Sequence, residues 1–271
     1  MPTYVEMSLP WNEETKPQLP QLLATLELLG YDRVVLDHTV KGDVPKQTCP
    51  IRRVDYPGTG TRRPLRQYTR LTLILSEPSK CHGINLQNEV IRSYDIFAIQ
   101  PDTEKMLQCA INSLEPDLVS LDLHSRMYSA LSWGLARQAL DKGITLELAY
   151  GALTSGDLQS RSQLISAARM MTRVTKGGRG VVFSARTAQP WDLRAPRDVA
   201  MLGKLVGMKG SETKPARGVR AGLYACVSAT PIECLRRAAL RRKSHCGAVL
   251  VIEEQKSTPN SDLQEDFLSF L

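Results

Sequence analysis

The stretch Leu-Thr-Leu-Ile-Leu at residues 71–75 is the clearest of eight short apolar runs that recur along this 271-residue chain. Short apolar runs of this kind are typical of strands that are buried on both faces. Between them lie segments with helical spacing, such as residues 18–29, where leucine stands at positions 19, 22, 23, 26 and 29. The eight runs begin at residues 4, 34, 71, 94, 118, 144, 181 and 223.

Strands that alternate with amphipathic helices predict repeated βα units and a parallel sheet. Eight such units predict a single-domain α/β fold, a (β/α)8 TIM-barrel-like domain over residues 1–250, with chemistry or binding at the carboxyl ends of the strands. A long basic loop is expected as an insertion at about residues 41–69, because this segment is rich in Pro, Gly and Arg, and we interpret it as a mobile arm. Residues 251–271 are expected to form a loose polar and acidic tail.

Few side chains at the predicted strand ends are suited to catalysis. His38, Asp122, His124, Glu147 and Tyr150 follow strands two, five and six. Histidines and carboxylates on separate strands can hold a hydrolytic metal, so one hypothesis is a protein-only metal-dependent phosphoesterase that uses His38, His124 and Glu147. The simpler interpretation is that these are buried polar groups with hydrogen-bond partners. The glycine-rich segment 176–180 precedes a strand, which predicts a helix cap and tight turn rather than a phosphate loop.

Positive charge is strongly segregated along the chain. The net charge is +7, yet residues 169–220 carry twelve Lys/Arg against three acids and residues 41–70 carry eight against two. Such segregation predicts a polyanionic partner, with nucleic acid the foremost candidate and an acidic protein or an ordinary solvated surface as alternatives. Aromatic residues make up only 6%, which favours contacts to the phosphates of a folded RNA over base stacking. The candidate RNA-binding residues are Arg52, Arg53, Arg62, Arg63, Arg66, Arg169, Arg173, Lys176, Arg179, Arg186, Arg194, Arg197, Lys209, Arg236, Arg237 and Arg241.

Five motifs occur in an order that resembles a known family. They are RLTLIL at 70–75, DLVSLD at 117–122, ELAYG at 147–151, VFSA at 182–185 and RAPRDVAML at 194–202. This series resembles the roughly thirty-kilodalton protein subunit of archaeal and eukaryotic ribonuclease P, which eukaryotes share with ribonuclease MRP. The resemblance covers residues 1–243.

The resemblance implies a barrel related to the polymerase-and-histidinol-phosphatase metal phosphoesterases. Those relatives carry His-x-His at the end of strand one, where this chain has Glu6-Met7-Ser8, so we expect the metal pocket to be lost. The family's usual Ser-Gly-Ala at strand seven is replaced by Ser184-Ala185 followed by Arg186.

The implied function is that of a non-catalytic subunit of the ribonuclease P ribonucleoprotein, which removes 5′ leaders from precursor tRNA, and of ribonuclease MRP, which processes ribosomal RNA. Such a subunit binds and stabilises the catalytic RNA and bridges other holoenzyme proteins, including a small α/β subunit; it meets precursor tRNA only indirectly. No cofactor is expected on this chain, and Mg²⁺ is expected on the RNA. Nuclear and nucleolar location follows from the family, with a weak import pattern at residues 236–243. No membrane contact is expected, because the chain has no run of 18 apolar residues.

Overall fold

Seven parallel strands form one sheet in which each strand pairs with the next one along the chain. The computed structural model describes residues 2–58, 60, 64–121, 130–154, 157–208, 224–245 and 249–250. Parallel neighbours need a crossover segment between them, which is the βα repeat that the sequence predicts. The strands are β1 (Val5–Pro10), β2 (Arg33–Lys41), β3 (Arg66–Leu75), β4 (Ile96–Pro101), β5 (Leu118–Ser120), β6 (Thr145–Ala149) and β7 (Val181–Ser184).

The sheet curls until its last strand meets its first. Just beyond β7, the backbone N–H of Arg186 donates to the carbonyl of Ser8 at 3.0 Å. The N–H of Ala185 donates to the carboxylate of Glu6 at 2.8 Å. Seven strands therefore nearly close a barrel, and the predicted TIM-barrel-like α/β fold is confirmed.

The apolar run that begins at residue 223 predicts an eighth strand, and this prediction is wrong for the described part of that segment. Residues 221–223 lie outside the described ranges, and Ala225–Val227 forms a 3-10 turn. Cys226 and Val227 are buried, as their apolar character indicates. A short apolar run reports burial and does not by itself distinguish a strand from another buried segment.

Helices surround the barrel and supply its outer core. Leu22, Leu23 and Leu26 of the first helix are fully buried, and the helix ends at Gly30, whose φ of 97° is left-handed. Within the described ranges, no helix combines the length and the apolarity needed to cross a membrane. The helices are α1 (Leu19–Leu29), α2 (Glu89–Arg92), α3 (Glu104–Cys109), α4 (Trp133–Asp141), α5 (Gly151–Thr154), α6 (Leu158–Val174), α7 (Pro196–Leu205) and α8 (Ala229–Lys243).

Helix α8 closes the amino-terminal end of the barrel. Its buried residues Cys234, Leu235 and Ala238 pack in one cluster with Val5, Val35, Ile96, Leu118 and Val182 of five strands. Asp117 immediately precedes β5, and Arg241 of α8 binds its carboxylate through Nε at 3.0 Å and Nη2 at 2.8 Å. The last helix thus acts as a plug of the barrel.

The long loop after β2 is anchored over its described part. β2 extends to Lys41 and β3 begins at Arg66, so the insertion spans residues 42–65 rather than 41–69. Ile51 and Leu65 are buried, and the backbone of Val54 exchanges two hydrogen bonds with the Gln67 amide. The described residues of the loop are thus held against the barrel by apolar packing and by these two hydrogen bonds.

Candidate nucleic-acid interface

The barrel interior holds a buried ion network centred on Arg70 of β3. Its guanidinium donates two hydrogen bonds, of 2.7 and 2.6 Å, to the carboxylate of Glu147 in β6. The same guanidinium lies 3.5 Å from Asp37 Oδ2 and donates to the carbonyl of Met7 at 3.1 Å. Arg70 and Glu147 are fully buried, and Asp37 is 2% exposed. Because β3 and β6 are not neighbours, this contact crosses the inside of the barrel.

Pairing keeps Arg70 and Glu147 in their charged forms. Burial acts to lower the pKa of Arg70, but the charges of Asp37 and Glu147 outweigh it and hold that pKa above its ordinary value. Burial acts to raise the pKa of Glu147, and the Arg70 guanidinium outweighs it, so the pKa falls. Ser8 and Thr72 donate hydroxyl hydrogen bonds to Asp37 at 2.9 and 2.5 Å. The two carboxylates of the interior are therefore neutralised by a side chain of the protein itself.

Glu6 is the third carboxyl group of the interior, and it is held differently. Its Oε1 accepts backbone N–H groups from Ala185 at 2.8 Å and Ser8 at 3.2 Å. Burial raises the pKa of Glu6 to about 8, with the nearby charge of Glu147 adding a smaller contribution. The carboxyl group is thus mainly protonated at neutral pH. Glu6 and Ser8, which the resemblance aligns with the His-x-His of the metal enzymes, are both engaged in internal hydrogen bonds.

The hypothesis of a metal-dependent phosphoesterase is not favoured by the geometry of its proposed ligands. His38 Nδ1 lies 2.8 Å from the Tyr94 hydroxyl, and burial lowers the pKa of this histidine. Glu147 is bound to Arg70, and Tyr150 accepts the backbone N–H of Arg194 at 3.3 Å. The described residues contain no group of three His, Cys, Asp or Glu that could hold a metal ion. Asp122 and His124 lie outside the described residues.

Arg186 covers the carboxyl ends of the strands from the inside. Its φ of 46° is left-handed, which is uncommon for a residue with a side chain. The half-buried guanidinium donates to Ser120 Oγ at 3.1 Å and to the Gln100 amide oxygen. Because its donors are turned into the barrel, we leave Arg186 out of the proposed interface.

The strongest concentration of accessible cations lies at the opposite, amino-terminal end of the barrel. Arg169 and Arg173 of α6 and Lys176 just after it are exposed, as their helical spacing predicts. They line one depression of about 490 Å³ between α6 and the end of α7, and no carboxylate stands among its described lining residues. Lys176 also lines a second depression of about 570 Å³, together with Arg179 and Arg237. We call these five residues the cationic surface.

A tight turn presents two of these cations. Thr175 ends α6, and Lys176, Gly177 and Gly178 follow with φ of 53°, 99° and 88°. Glycine tolerates this left-handed run without strain. A Cβ at Gly178 would lie 2.8 Å from the flexible Met208 side chain, which would have to shift to accommodate it. The predicted helix cap and tight turn at 176–180 is confirmed, and it projects Lys176 and Arg179 to solvent.

The remaining candidates are dispersed. Arg52, Arg53 and Arg66 are exposed around the anchored loop, and Arg194 and Arg197 are exposed beyond β7, where the Arg194 guanidinium donates to the Trp191 carbonyl at 2.7 Å. Their contact with RNA stays a prediction. Arg62, Arg63 and Lys209 lie outside the described residues.

The basic residues of α8 divide into structural and accessible ones. Arg241 is bound to Asp117, and Arg242 lies 2.7 Å from Asp95, so their charges hold the plug in place. Arg236 pairs with Glu233 of its own helix at 2.8 Å. Arg237 faces the second depression. We therefore leave Arg241 out of the interface; residues 236–243 form part of helix α8, and the nuclear-import pattern there stays a prediction.

Sequence reasoning missed two features of the functional site. The first is the Arg70 network. A single charged residue inside an apolar strand is only a weak indication of such a network. The second is Trp133, which is 48% exposed and has Lys176 Nζ 5.3 Å from its ring centroid. Nothing in the spacing of residues 133 and 176 indicates that they meet, because the fold alone brings them together.

The fold defines an α/β barrel protein whose inner carboxyl groups are paired or protonated and whose accessible cations gather on one outer face. Residues 3–243 match the family model described as RNase P subunit p30. The chain therefore belongs to the ribonuclease P subunit p30 family.

Relatives from distant eukaryotes support this assignment. Ribonuclease P protein subunit p30 of Mus musculus is 30% identical over 229 residues, which cover 80% of this chain and 82% of the mouse protein. Ribonuclease P/MRP protein subunit RPP1 of Saccharomyces cerevisiae is 27% identical over 256 residues, covering 89% and 82%. Protein GAMETOPHYTE DEFECTIVE 1 of Arabidopsis thaliana is 27% identical, and the match spans only 42% of that protein.

A solved structure shows the same fold. A chain in the structure of archaeal ribonuclease P with mature tRNA superposes with a TM-score of 0.60 at 15% identity, over 93% of this chain and all of that one.

Proposed function

We propose that this chain is a protein subunit of ribonuclease P, the enzyme that removes 5′ leaders from precursor tRNA, and also of ribonuclease MRP in ribosomal RNA processing. Family membership and the names of the mouse and yeast relatives support the proposal. In it, the chain binds and stabilises the catalytic RNA and does not itself cut. It therefore needs no cofactor of its own, and Mg²⁺ acts on the RNA.

The observation that carries the RNA-binding role is the cationic surface. Three cations line its first depression without a carboxylate among the described lining residues, so their charges are not neutralised locally. Arginine is suited to phosphate because its planar fork donates two parallel hydrogen bonds to phosphate oxygens. Counterion release on phosphate binding then supplies a sequence-independent affinity.

The interior of the barrel supports the part of the proposal that says this chain does not itself cut RNA. A general base or a metal ligand needs an available carboxylate or imidazole, whereas Asp37 and Glu147 are bound by Arg70 and His38 is bonded to Tyr94. The cationic surface lies at the other end of the barrel, so RNA bound there is remote from these groups.

Protein partners and location complete the proposal. We propose that a small α/β subunit and other holoenzyme proteins contact this chain, and that the assembly resides in the nucleus and nucleolus. Exposed apolar side chains support protein contacts: Leu158 is 83% and Leu205 76% exposed. Imaging of the tagged chain tests the location.

Co-purification from native extract tests the central proposal. The tagged wild-type chain should recover the catalytic RNAs of both particles together with cleavage of precursor tRNA, and nuclease digestion should abolish that cleavage. The variant Arg173→Glu with Lys176→Glu should recover at least ten times less RNA. The matched control, Arg161→Glu with Lys105→Glu, makes the same charge change at exposed residues elsewhere and should behave as wild type. Nucleic-acid-free protein that still cuts substrate would overturn the proposal.

A further inference from the structure

The second depression of the cationic surface has an aromatic wall. It lies between α4, the turn before β7 and α8, and its volume of about 570 Å³ falls within the range of ligand pockets. Trp133, at the start of α4, is 48% exposed although it lines this groove. This half-exposed indole leaves part of its flat apolar surface open to solvent on the groove wall.

Two cations lie over the ring of this indole. Lys176 Nζ is 5.3 Å and Arg137 Cζ 5.7 Å from the centroid of the Trp133 ring. Arg179 and Arg237 line the rest of the groove. A base stacked on an aromatic ring, with its phosphate held by nearby cations, is the usual way in which proteins take up unpaired nucleotides.

The charges of the groove are unbalanced in favour of the cations. Its two carboxylates are already engaged, Asp141 with Arg137 at 3.6 Å and Glu233 with Arg236 at 2.8 Å. Among the described residues, no carboxylate lies within ion-pair distance of Lys176, Arg179 or Arg237. Three cations of the groove are therefore available to an anionic ligand.

Arg237 supplies an independent indication of a ligand. Its Nη1 is shielded from solvent yet has no hydrogen-bond partner among the described residues. Its guanidinium lies 3.4 Å from where a Cβ of Gly143 would stand, so the absence of a side chain there gives it room. Buried donors without acceptors are costly, which favours an acceptor supplied from outside.

We propose that this groove binds one unpaired nucleotide of the RNA, with the base stacked on Trp133 and a phosphate held by Lys176, Arg179 and Arg237. The inference rests on the proposed function and deepens it, because it assigns single-stranded RNA to one part of the cationic surface. An acidic peptide would use the same cations but would gain little from the flat indole.

Tryptophan fluorescence isolates the contact. In a chain with Trp11→Phe and Trp191→Phe, Trp133 is the one remaining indole of the sequence. The probe is a six-nucleotide adenylate RNA, and the matched control is a six-residue abasic RNA with the same phosphates. The adenylate RNA should quench Trp133 and bind about 5- to 150-fold more tightly than the abasic one, since stacking contributes about 1–3 kcal/mol per base. Equal binding of the two oligomers would overturn the inference.

Substitutions separate stacking from charge. In the otherwise unmodified chain, Trp133→Ala should abolish the preference for the adenylate RNA and Trp133→Phe should restore part of it, which a mere loss of folding would not do. Arg237→Gln should weaken both oligomers equally, and Trp191→Ala, at an indole 71% exposed elsewhere, should change neither. Binding of a hexaglutamate peptide as tightly as the RNA would instead indicate a protein ligand and contradict the inference.

The catalytic RNA itself distinguishes this inference from the proposed function. If wild type and Trp133→Ala bind that RNA equally tightly, the nucleotide groove is wrong while the RNA-binding role stands. If the wild-type chain fails to bind it at all, the proposed function fails as well.

Discussion

The interior of the barrel and its amino-terminal outer face both contain basic side chains, and they use them in opposite ways. Arg70 is fully buried and forms ion pairs with two carboxylates, so its charge is neutralised within the fold. Arg169, Arg173 and Lys176 are exposed and line a depression that has no carboxylate among its described residues. The partners of a cation, rather than the local density of basic residues, therefore decide whether it stabilises the protein or is available to a ligand.

The largest effect is expected inside the barrel. Arg70→Met should lower the free energy of unfolding by about 3–5 kcal/mol, because it leaves Asp37 and Glu147 buried without a counter-charge. Urea denaturation followed by circular dichroism measures the loss. The double variant Arg70→Met with Glu147→Gln is the control and should recover part of it. A loss below 1 kcal/mol for the single variant would show that the interior does not depend on this pairing.

Helix α8 carries an arginine in a buried ion pair, Arg241, and an arginine in an exposed one, Arg236. Arg241→Ala should cost about 2 kcal/mol of unfolding free energy, because Asp117 is 1% exposed and loses a bidentate donor. Arg236→Ala, which breaks an exposed pair on the same helix, should cost no more than about 0.5 kcal/mol. Thermal denaturation of the two variants side by side measures the difference, and equal costs would contradict the assignment of Arg241 to the plug.

The outer face should respond in affinity and not in stability. Arg173→Glu with Lys176→Glu should weaken binding of the catalytic RNA about tenfold or more and lower the slope of log affinity against log salt by about 1.5–2. Filter binding over a salt series measures both quantities. The control with Arg161→Glu and Lys105→Glu should keep the wild-type slope, and an equal decrease in the control would mean that only net charge matters.

Per pH unit, the smallest of these effects concerns Glu6, whose pKa of about 8 in the folded protein lies above its ordinary value of 4.5. A raised carboxyl pKa means that the folded state holds a proton which the unfolded state releases. Its contribution to stability is therefore present below pH 4.5 and is lost as pH rises through about 8. Wild type should lose on the order of 1 kcal/mol per pH unit relative to Glu6→Gln across this interval. Denaturation midpoints of both proteins between pH 5 and 8 measure it, and parallel curves would contradict a protonated Glu6.

Much of the architecture could be predicted because it depends on local periodicity. The apolar run at residues 71–75 indicates the strand β3, and the spacing of the leucines in residues 19–29 indicates the helix α1. Gly30 ends α1 where the sequence indicates. The segment near residue 224 could not be assigned in this way, since an apolar run indicates burial and leaves the type of element open.

The site was less accessible to sequence reasoning because its key contacts join distant residues. Arg169, Arg173 and Lys176 were found from their helical spacing, which is a local property. Arg70 and Glu147 are 77 positions apart, and the approach of Trp133 to Lys176 depends on how α4 and α6 pack. Strand alternation could have placed Asp37 and Arg70 on inward faces, but not in contact with each other.

The plug has a consequence for biosynthesis. Cys234 and Leu235 close the barrel, and Arg237 of the same turn of α8 lines the groove beside Trp133. A nascent chain cannot complete its hydrophobic core until this helix has left the ribosome. Closure of the core and completion of the groove therefore coincide, so a truncated copy that lacks α8 has neither a closed core nor a complete groove.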